Sequence, residues 1–272
     1  QDKATNLREL AKELNLGLDS FIFVDDSKFE IGLIQKKLPM VKTIIVPENI
    51  SEYPPLMRSL ERDFFNLSQS EEDLNKTSMY LVEEKRSNSA KAFSSIDDYL
   101  SSLKLKIRVL WDDQVPIPRV AQMTQKTNQF NLCTRRYTES DIKSMLLEDR
   151  FFITVFSLSD SYGDYGITGM SIIKLDKSDK REATIDSFLM SCRVIGRNVE
   201  YTFFDQIVSK LKAQGIYELK AEYIRTPKNQ QVENFYDNLG FTCINQENNT
   251  RQYVLKLSEL MEPMAALASC IE

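Results

Sequence analysis

Between residues 185 and 211 the apolar positions change period. Ile185, Phe188, Leu189 and Met190 carry the apolar weight of a strand inside a sheet. Val199, Phe203, Ile207 and Leu211, spaced four apart, lay one stripe along a helix. Arg193, Gly196, Arg197 and Asn198 sit in the turn between them. A strand that feeds a helix through such a turn aims backbone N–H groups and the positive helix end at one place, which suits a phosphate. Gly196 lets the backbone come close, and the two arginines add charge. The same residues also suit a plain strand–helix connection with solvated arginines.

Downstream, 219–223 reads as a strand and Thr226-Pro227-Lys228-Asn229 breaks it. Val232, Phe235, Tyr236 and Leu239 form a helical face closed by Gly240, and 241–244 and 251–257 are further strands. Upstream, 104–111, 151–158, 166–175 and 183–190 read as strands, with a helix over 138–147 opened by a Thr138/Asp141 capping box. The order from 104 is βααβββαβαβ, with 251–257 as a final strand, a mixed sheet with flanking helices. Residues 66–103 read as a helical connector, with a capping box at Ser70 and Asp73 and a short helix on Ile96, Tyr99, Leu100 and Leu103. Residues 258–272 form a tail with no strong signal.

Residues 1–65 hold two βα units. Asn6 caps a helix on Leu7, Leu10, Ala11 and Leu14, and Gly17 closes it. Phe21-Ile22-Phe23-Val24 is fully apolar, as in a central strand of a parallel sheet, and ends in Asp25-Asp26. A helix over 31–37 and a strand over 41–46 follow. Paired carboxylates at the C-terminal end of such a strand lie where open α/β sheets bind ligands. They repel unless they share a cation, and Mg²⁺ is the natural guest for hard oxygens. A single Asp in that place would more simply cap the next helix.

The 272 residues carry a net charge of −5, with 42% hydrophobic and 28% charged side chains, the balance of a soluble globular protein. That charge argues against a nucleic-acid partner. No apolar run approaches the ~18 residues of a membrane span. The four cysteines, Cys133, Cys192, Cys243 and Cys270, lack metal or scaffold spacing and predict reduced thiols in a cytoplasmic protein. Histidine is absent, which excludes His-based triads, His-ligated zinc and His general bases.

The densest polar run, 122–137, contains Gln125, Lys126, Asn128, Asn131, Arg135 and Arg136. Such a run makes either a disordered loop or a lining that hydrogen-bonds a polar ligand. Phe130, Leu132 and Tyr137 at intervals favour order, and Arg135-Arg136 suit a phosphate or carboxylate. Cys192 is either a small packed thiol or a nucleophile, activated by the adjoining arginines and a helix N-terminus. Cys133 is the second choice.

Arg193-x-x-Gly196-x-Asn198 followed by Asn229, Phe235-Tyr236 and Leu239-Gly240-Phe241 resembles the pattern of GCN5-related N-acyltransferases (GNAT). That resemblance implies a turn holding the phosphate of a phosphopantetheine or coenzyme A carrier, with Tyr236 near the leaving thiol; the usual last Gly or Ala of the turn is here Asn198. Lys3, the strand and Asp25-Asp26 resemble the C-terminal half of a haloacid dehalogenase-like (HAD) phosphatase. It implies that Lys3 steadies a phospho-enzyme and that Asp25 and Asp26 hold Mg²⁺. The D-x-D-x-T nucleophile loop of that family does not occur in the 272 residues, and the expectation is that it precedes Gln1. Residues 14–26, 124–142 and 186–200 together resemble the FkbH-like proteins, which fuse the two domains. The fold expected is therefore mixed α/β: the C-terminal part of a HAD-like Rossmannoid sheet over 1–65, the connector, then a GNAT-like mixed sheet over 104–257. The activity implied is removal of phosphate from 1,3-bisphosphoglycerate and transfer of the glyceryl group to an acyl carrier protein thiol, for polyketide extender units. An acyl-CoA-dependent N-acyltransferase, with Asp186 or Glu222 as base, and a non-catalytic carrier-docking module are the alternatives.

Overall fold

The computed structural model describes residues 2–14, 16–64, 86, 89, 93–179, 181–258 and 268–271. They form two compact units, 1–92 and 93–272. The helix expected to follow the Ser70/Asp73 capping box, over 71–85, lies outside the described residues.

In the first unit, α1 (Lys3–Glu13), β1 (Ile22–Asp25), α2 (Lys28–Lys37), β2 (Lys42–Ile45) and α3 (Tyr53–Phe64) follow one another. β1 and β2 are parallel, Ile22 opposite Lys42 and Asp25 opposite Ile45. The cap of α1 differs from expectation. Asp2, not Asn6, caps it, its carboxylate accepting from Thr5 N–H at 2.7 Å. The apolar stripe alone could not fix the first turn, which carries no large apolar residue. Ala4, Ile34, Leu38 and Val41 form the small core. β1 is not the buried central strand its composition suggested: β2 is its one strand partner among the described residues, and Val24 and Ile45 are exposed.

The second unit contains α4 (Ile96–Leu103), β3 (Lys106–Trp111), α5 (Ile117–Lys126), β4 (Phe130–Asn131), α6 (Glu139–Leu146), β5 (Phe151–Asp160), β6 (Gly163–Leu175), β7 (Glu182–Met190), α7 (Val199–Ala213), β8 (Glu218–Ile224), α8 (Phe235–Asn238), β9 (Thr242–Glu247), β10 (Thr250–Lys256) and β11 (Ser269–Ile271). Among the described residues the sheet order is β11-β3-β5-β6-β7-β8-β10-β9, with β4 added beside β7. β7–β8 and β11–β3 are parallel and the other pairs antiparallel, so the sheet is mixed, with helices flanking it.

Two boundaries move. Leu100 and Leu103 of α4 are buried in the same core as the sheet, so α4 belongs to this unit and not to a connector. The expected tail contains β11, which extends the edge beside β3; three residues are too short for any period to show. Gln122 to Lys126 also depart from the loop expectation, since they close α5, whose Val120, Ala121, Met123 and Thr124 are buried. The core on the α7 side is aromatic, with Phe188 between Phe203 (5.5 Å) and Phe235 (5.0 Å). Each such ring pair adds about 0.5–1.5 kcal/mol beyond burial. Gly169 is required there, because a Cβ would come within 1.9 Å of the Phe156 ring.

Candidate functional site

β7 and β8 are parallel neighbours only from Glu182/Glu218 to Ile185/Ala221. Beyond that pair β7 continues to Met190 and β8 to Ile224, apart. The parting coincides with a bulge. Against β6, Ser187 faces Ile172 and Ile185 faces Ile173, so Asp186 is the extra residue. Asp186 and Glu222 are the first residues past the last pair, and they open a notch in the sheet.

The polar run enters this notch. Phe130 lies opposite Met190 and Asn131 opposite Leu189. Leu132 N–H donates to Phe188 C=O at 3.2 Å, and Leu132 C=O accepts from Ile224 N–H at 2.8 Å. The segment thus bridges the two parted strands. Asn229 is fully buried and fastens it: its amide donates to Asn131 C=O at 2.8 Å and Ile224 C=O at 2.9 Å, and its oxygen accepts from Thr226 N–H at 2.8 Å. Those bonds tie the Asn229 side chain to the chain's own backbone. Asn131 is likewise buried, bonded to Thr127 C=O and Thr134 N–H.

Arg135 spans the mouth of the notch. One guanidinium nitrogen donates to Asp186 C=O (2.5 Å) and Oδ1 (3.0 Å), the other to Glu222 Oε2 at 2.9 Å. Tyr137 O–H donates to Asp186 Oδ2 at 2.7 Å, and burial followed by that bond pushes the phenol's pKa up. The two carboxylates offered as alternative bases are therefore held by a cation. Arg136 donates to Thr124 C=O, to Thr127 C=O at 3.2 Å and to Asn128 Oδ1 at 2.5 Å, and Gln125 donates to Tyr137 C=O at 3.2 Å. Lys126 ends α5 and is exposed.

Tyr236 is 1% exposed, and its hydroxyl has no hydrogen-bond partner among the described residues. Burial first, then the fields of Cys133 and Glu222, set its pKa well above the ordinary value, against the opposing charge of Arg135. Cys133 Sγ donates to Glu222 C=O at 2.9 Å, and burial pushes this thiol up to about 12, which removes it as a nucleophile near neutrality.

The turn after β7 is rearranged relative to expectation. Cys192 opens a three-residue 3-10 turn, Cys192–Val194, while the N-cap of α7 is Asn198, left-handed at φ 57°. Cys192 is half-buried and not at the N-terminus of α7, so the helix-dipole argument for its activation fails. Arg197 is buried, 3.7 Å from the Asp160 carboxylate and 4.6 Å over the Tyr165 ring. Arg193 donates to Ser191 Oγ at 3.2 Å. Gly196 takes φ 82°, a value that favours glycine. Sequence reasoning missed Glu200, the second residue of α7. It is 8% exposed, and burial raises its pKa to about 6. An acid in the first turn of a helix was its one visible signal.

In the first unit, Lys3 Nζ lies 2.5 Å from Asp25 Oδ2, and Asp25 Oδ1 accepts from Ser27 N–H at 2.9 Å. The Lys3 bond first, and the Ser27 amide next, hold the Asp25 carboxyl below its usual range. The Asp25 bond in turn raises Lys3, which also feels Glu30 and Asp26. Glu30 keeps a buried oxygen without a hydrogen-bond partner among the described residues. No group of three or more Cys, His, Asp or Glu side chains converges to hold a metal among them. Two carboxylates still suit Mg²⁺, which fills its other positions with water and phosphate oxygens. No described helix is long and apolar enough to cross a membrane.

No protein-family model matches the chain, and no curated protein matches it. Among solved structures it is similar to the ribosomal-protein-S18-alanine N-acetyltransferase from Escherichia coli, at 14% identity and TM-score 0.43 over 59% of this chain and 99% of that one. It is also similar to an acetyltransferase of the GNAT family from Staphylococcus aureus (12%, TM-score 0.42, 56% and 99%) and to Ard1 from Thermoplasma volcanium (18%, 0.40, 54% and 97%).

Proposed function

We infer that the second unit is an acyltransferase whose reacting thiol or thioester sulfur meets the notch between β7 and β8. The observation that carries this reading is the Tyr236 hydroxyl: buried, protonated at neutral pH, and without a hydrogen-bond partner beside the groups that line the notch. A neutral phenol held ready in a dry place can give its proton to a leaving thiolate.

In the finer reading, the acyl donor is a phosphorylated three-carbon acid, as the FkbH-like resemblance implies, and the acceptor is an acyl carrier protein thiol. Cys192 Sγ would form a bond to the acyl carbon as the bond from that carbon to the phosphate oxygen breaks and inorganic phosphate leaves; the carrier sulfur would then bond to that carbon, the bond to Cys192 would break, and the departing thiolate would take a proton. The remaining phosphate ester would be hydrolysed at a phosphatase site to which the first unit contributes the Lys3–Asp25 pair, and whose nucleophile loop is not among these 272 residues. Asp25 and Asp26 would hold Mg²⁺ there, which would neutralise phosphate charge. Cys192 would serve as an intermediate acyl tether. Arg193 and the Gly196 backbone would face the carrier's phosphate, with Arg197, buried against Asp160 and Tyr165, holding the turn behind them.

A second reading, an amine acceptor, has one supporting observation. Arg135 is one cation against the two carboxylates of Asp186 and Glu222, which leaves the mouth negative and attractive to an ammonium group.

The test is intact-mass detection of acyl transfer from acyl phosphate to carrier protein, and from acyl-CoA to amines. Tyr236→Phe should keep the fold and lower transfer about 10²-fold. Unchanged transfer by Tyr236→Phe removes the notch as the site of reaction.

A further inference from the structure

The in-sheet groups that a ligand would use between β7 and β8 are already used. A pantetheine arm carries two amides, and its natural place in the notch is as a pseudo-strand bonded to the parted edges. Phe130 and Asn131 hold the β7 edge, Leu132 N–H takes Phe188 C=O, and Leu132 C=O takes Ile224 N–H. Phe130 also packs its ring against Phe235 at 5.3 Å, and Leu132 is fully buried. Tyr236 is 1% exposed and shares its core cluster with Phe130, Leu132 and Cys133.

We propose that residues 130–133 are an internal plug, and that Arg135 is the latch holding the plug in place. This rests on the acyl-transfer reading above and adds a gate to it. The latch follows from charge. Asp186 and Glu222 stand at the first step past the last β7–β8 pair, and Arg135 joins both. Without its charge two carboxylates face one another and drive the strand ends apart. The two amides of a pantetheine arm supply the donor and the acceptor that Leu132 now gives to Phe188 C=O and Ile224 N–H. Arg135 is a positioning residue in this account: it touches the segment's anchors, not the reacting atoms. Local opening of this kind is an equilibrium whose population a latch can set.

The experiment is amide hydrogen exchange at Leu132 and Ile224, with and without coenzyme A, beside calorimetric binding of the same ligand. The full chain is used, with the parent sequence, Arg135→Gln and Arg135→Lys. Two results support the plug. Either the parent binds coenzyme A and both amides lose protection at least tenfold, or the parent fails to bind while Arg135→Gln binds with faster exchange. Two results overturn it: binding with both amides still protected, or no binding by any of the three proteins. If Arg135→Gln does not fold, Arg135→Lys decides, because it keeps the charge but loses one of the two bridged carboxylates. Acyl transfer is scored separately. Transfer with the plug amides protected overturns the gate and leaves the acyltransferase reading standing; loss of protection on binding without transfer to any acceptor does the reverse.

Discussion

Arg135 and Glu222 meet at 2.9 Å across the place where β7 and β8 separate, although their positions in the chain are 87 apart. The other arm of the same guanidinium holds Asp186, the bulged residue of β7. One side chain from a polar run thus ties both strand ends. The pair should show a coupling of about 1 kcal/mol in a double-mutant cycle of Arg135→Gln and Glu222→Gln, read from urea unfolding. Additive effects of the two substitutions would mean that the bridge contributes nothing to the fold.

Glu200 predicts a pH dependence with a definite sign. Its carboxyl titrates near 4.5 in the unfolded chain and at about 6 in the folded one, because burial disfavours the charge. Between these values the folded state binds more protons, so this residue's contribution is fully present below pH 4.5 and is lost as pH rises through 6. The rise corresponds to about 2 kcal/mol. Glu200→Gln should therefore stabilise the protein by up to that amount at pH 7, and should flatten the slope between pH 4.5 and 6. Denaturant unfolding at several pH values measures both.

Gly169→Ala should destabilise by about 1–3 kcal/mol, since its new methyl group would meet the Phe156 ring at 1.9 Å. Phe156→Leu in the same chain should recover part of that loss. A thermal midpoint equal to the parent's in Gly169→Ala would show that the ring has room to move.

Lys3 and Asp25 predict an acid-side signature in the first unit. Asp25 titrates below its ordinary value because of Lys3 and the Ser27 amide. Its stabilising contribution is present above the ordinary carboxyl value and fades as pH falls through the folded one. Lys3→Gln should move the Asp25 carboxyl resonance toward an ordinary titration in NMR. An unmoved titration curve would show that the pair does not persist in solution.

Local pattern alone determined much of this protein. The four-residue spacing of Val199, Phe203, Ile207 and Leu211 is enough to specify α7, because one buried stripe at that period fits no other backbone. The Thr138/Asp141 capping box and the strands from 151 to 190 are equally local. Lys3 and Asp25 were singled out together, by resemblance to a family pattern, and the structure joins them. What tertiary structure alone decided is where groups without a period of their own end up. Phe130 and Asn131 are a strand only because the parting of β7 and β8 offers unpaired edges. Asn229 and Arg135 looked like ligand contacts, since an amide and a guanidinium carry the same donors whether they face a ligand or a strand end. The partners that claimed them, Asn131, Asp186 and Glu222, lie 98, 51 and 87 residues away, beyond any spacing rule. The start of α7 at Val199 is where the apolar stripe begins, and Cys192 lies before it in a 3-10 turn of its own, with the left-handed Asn198 between them.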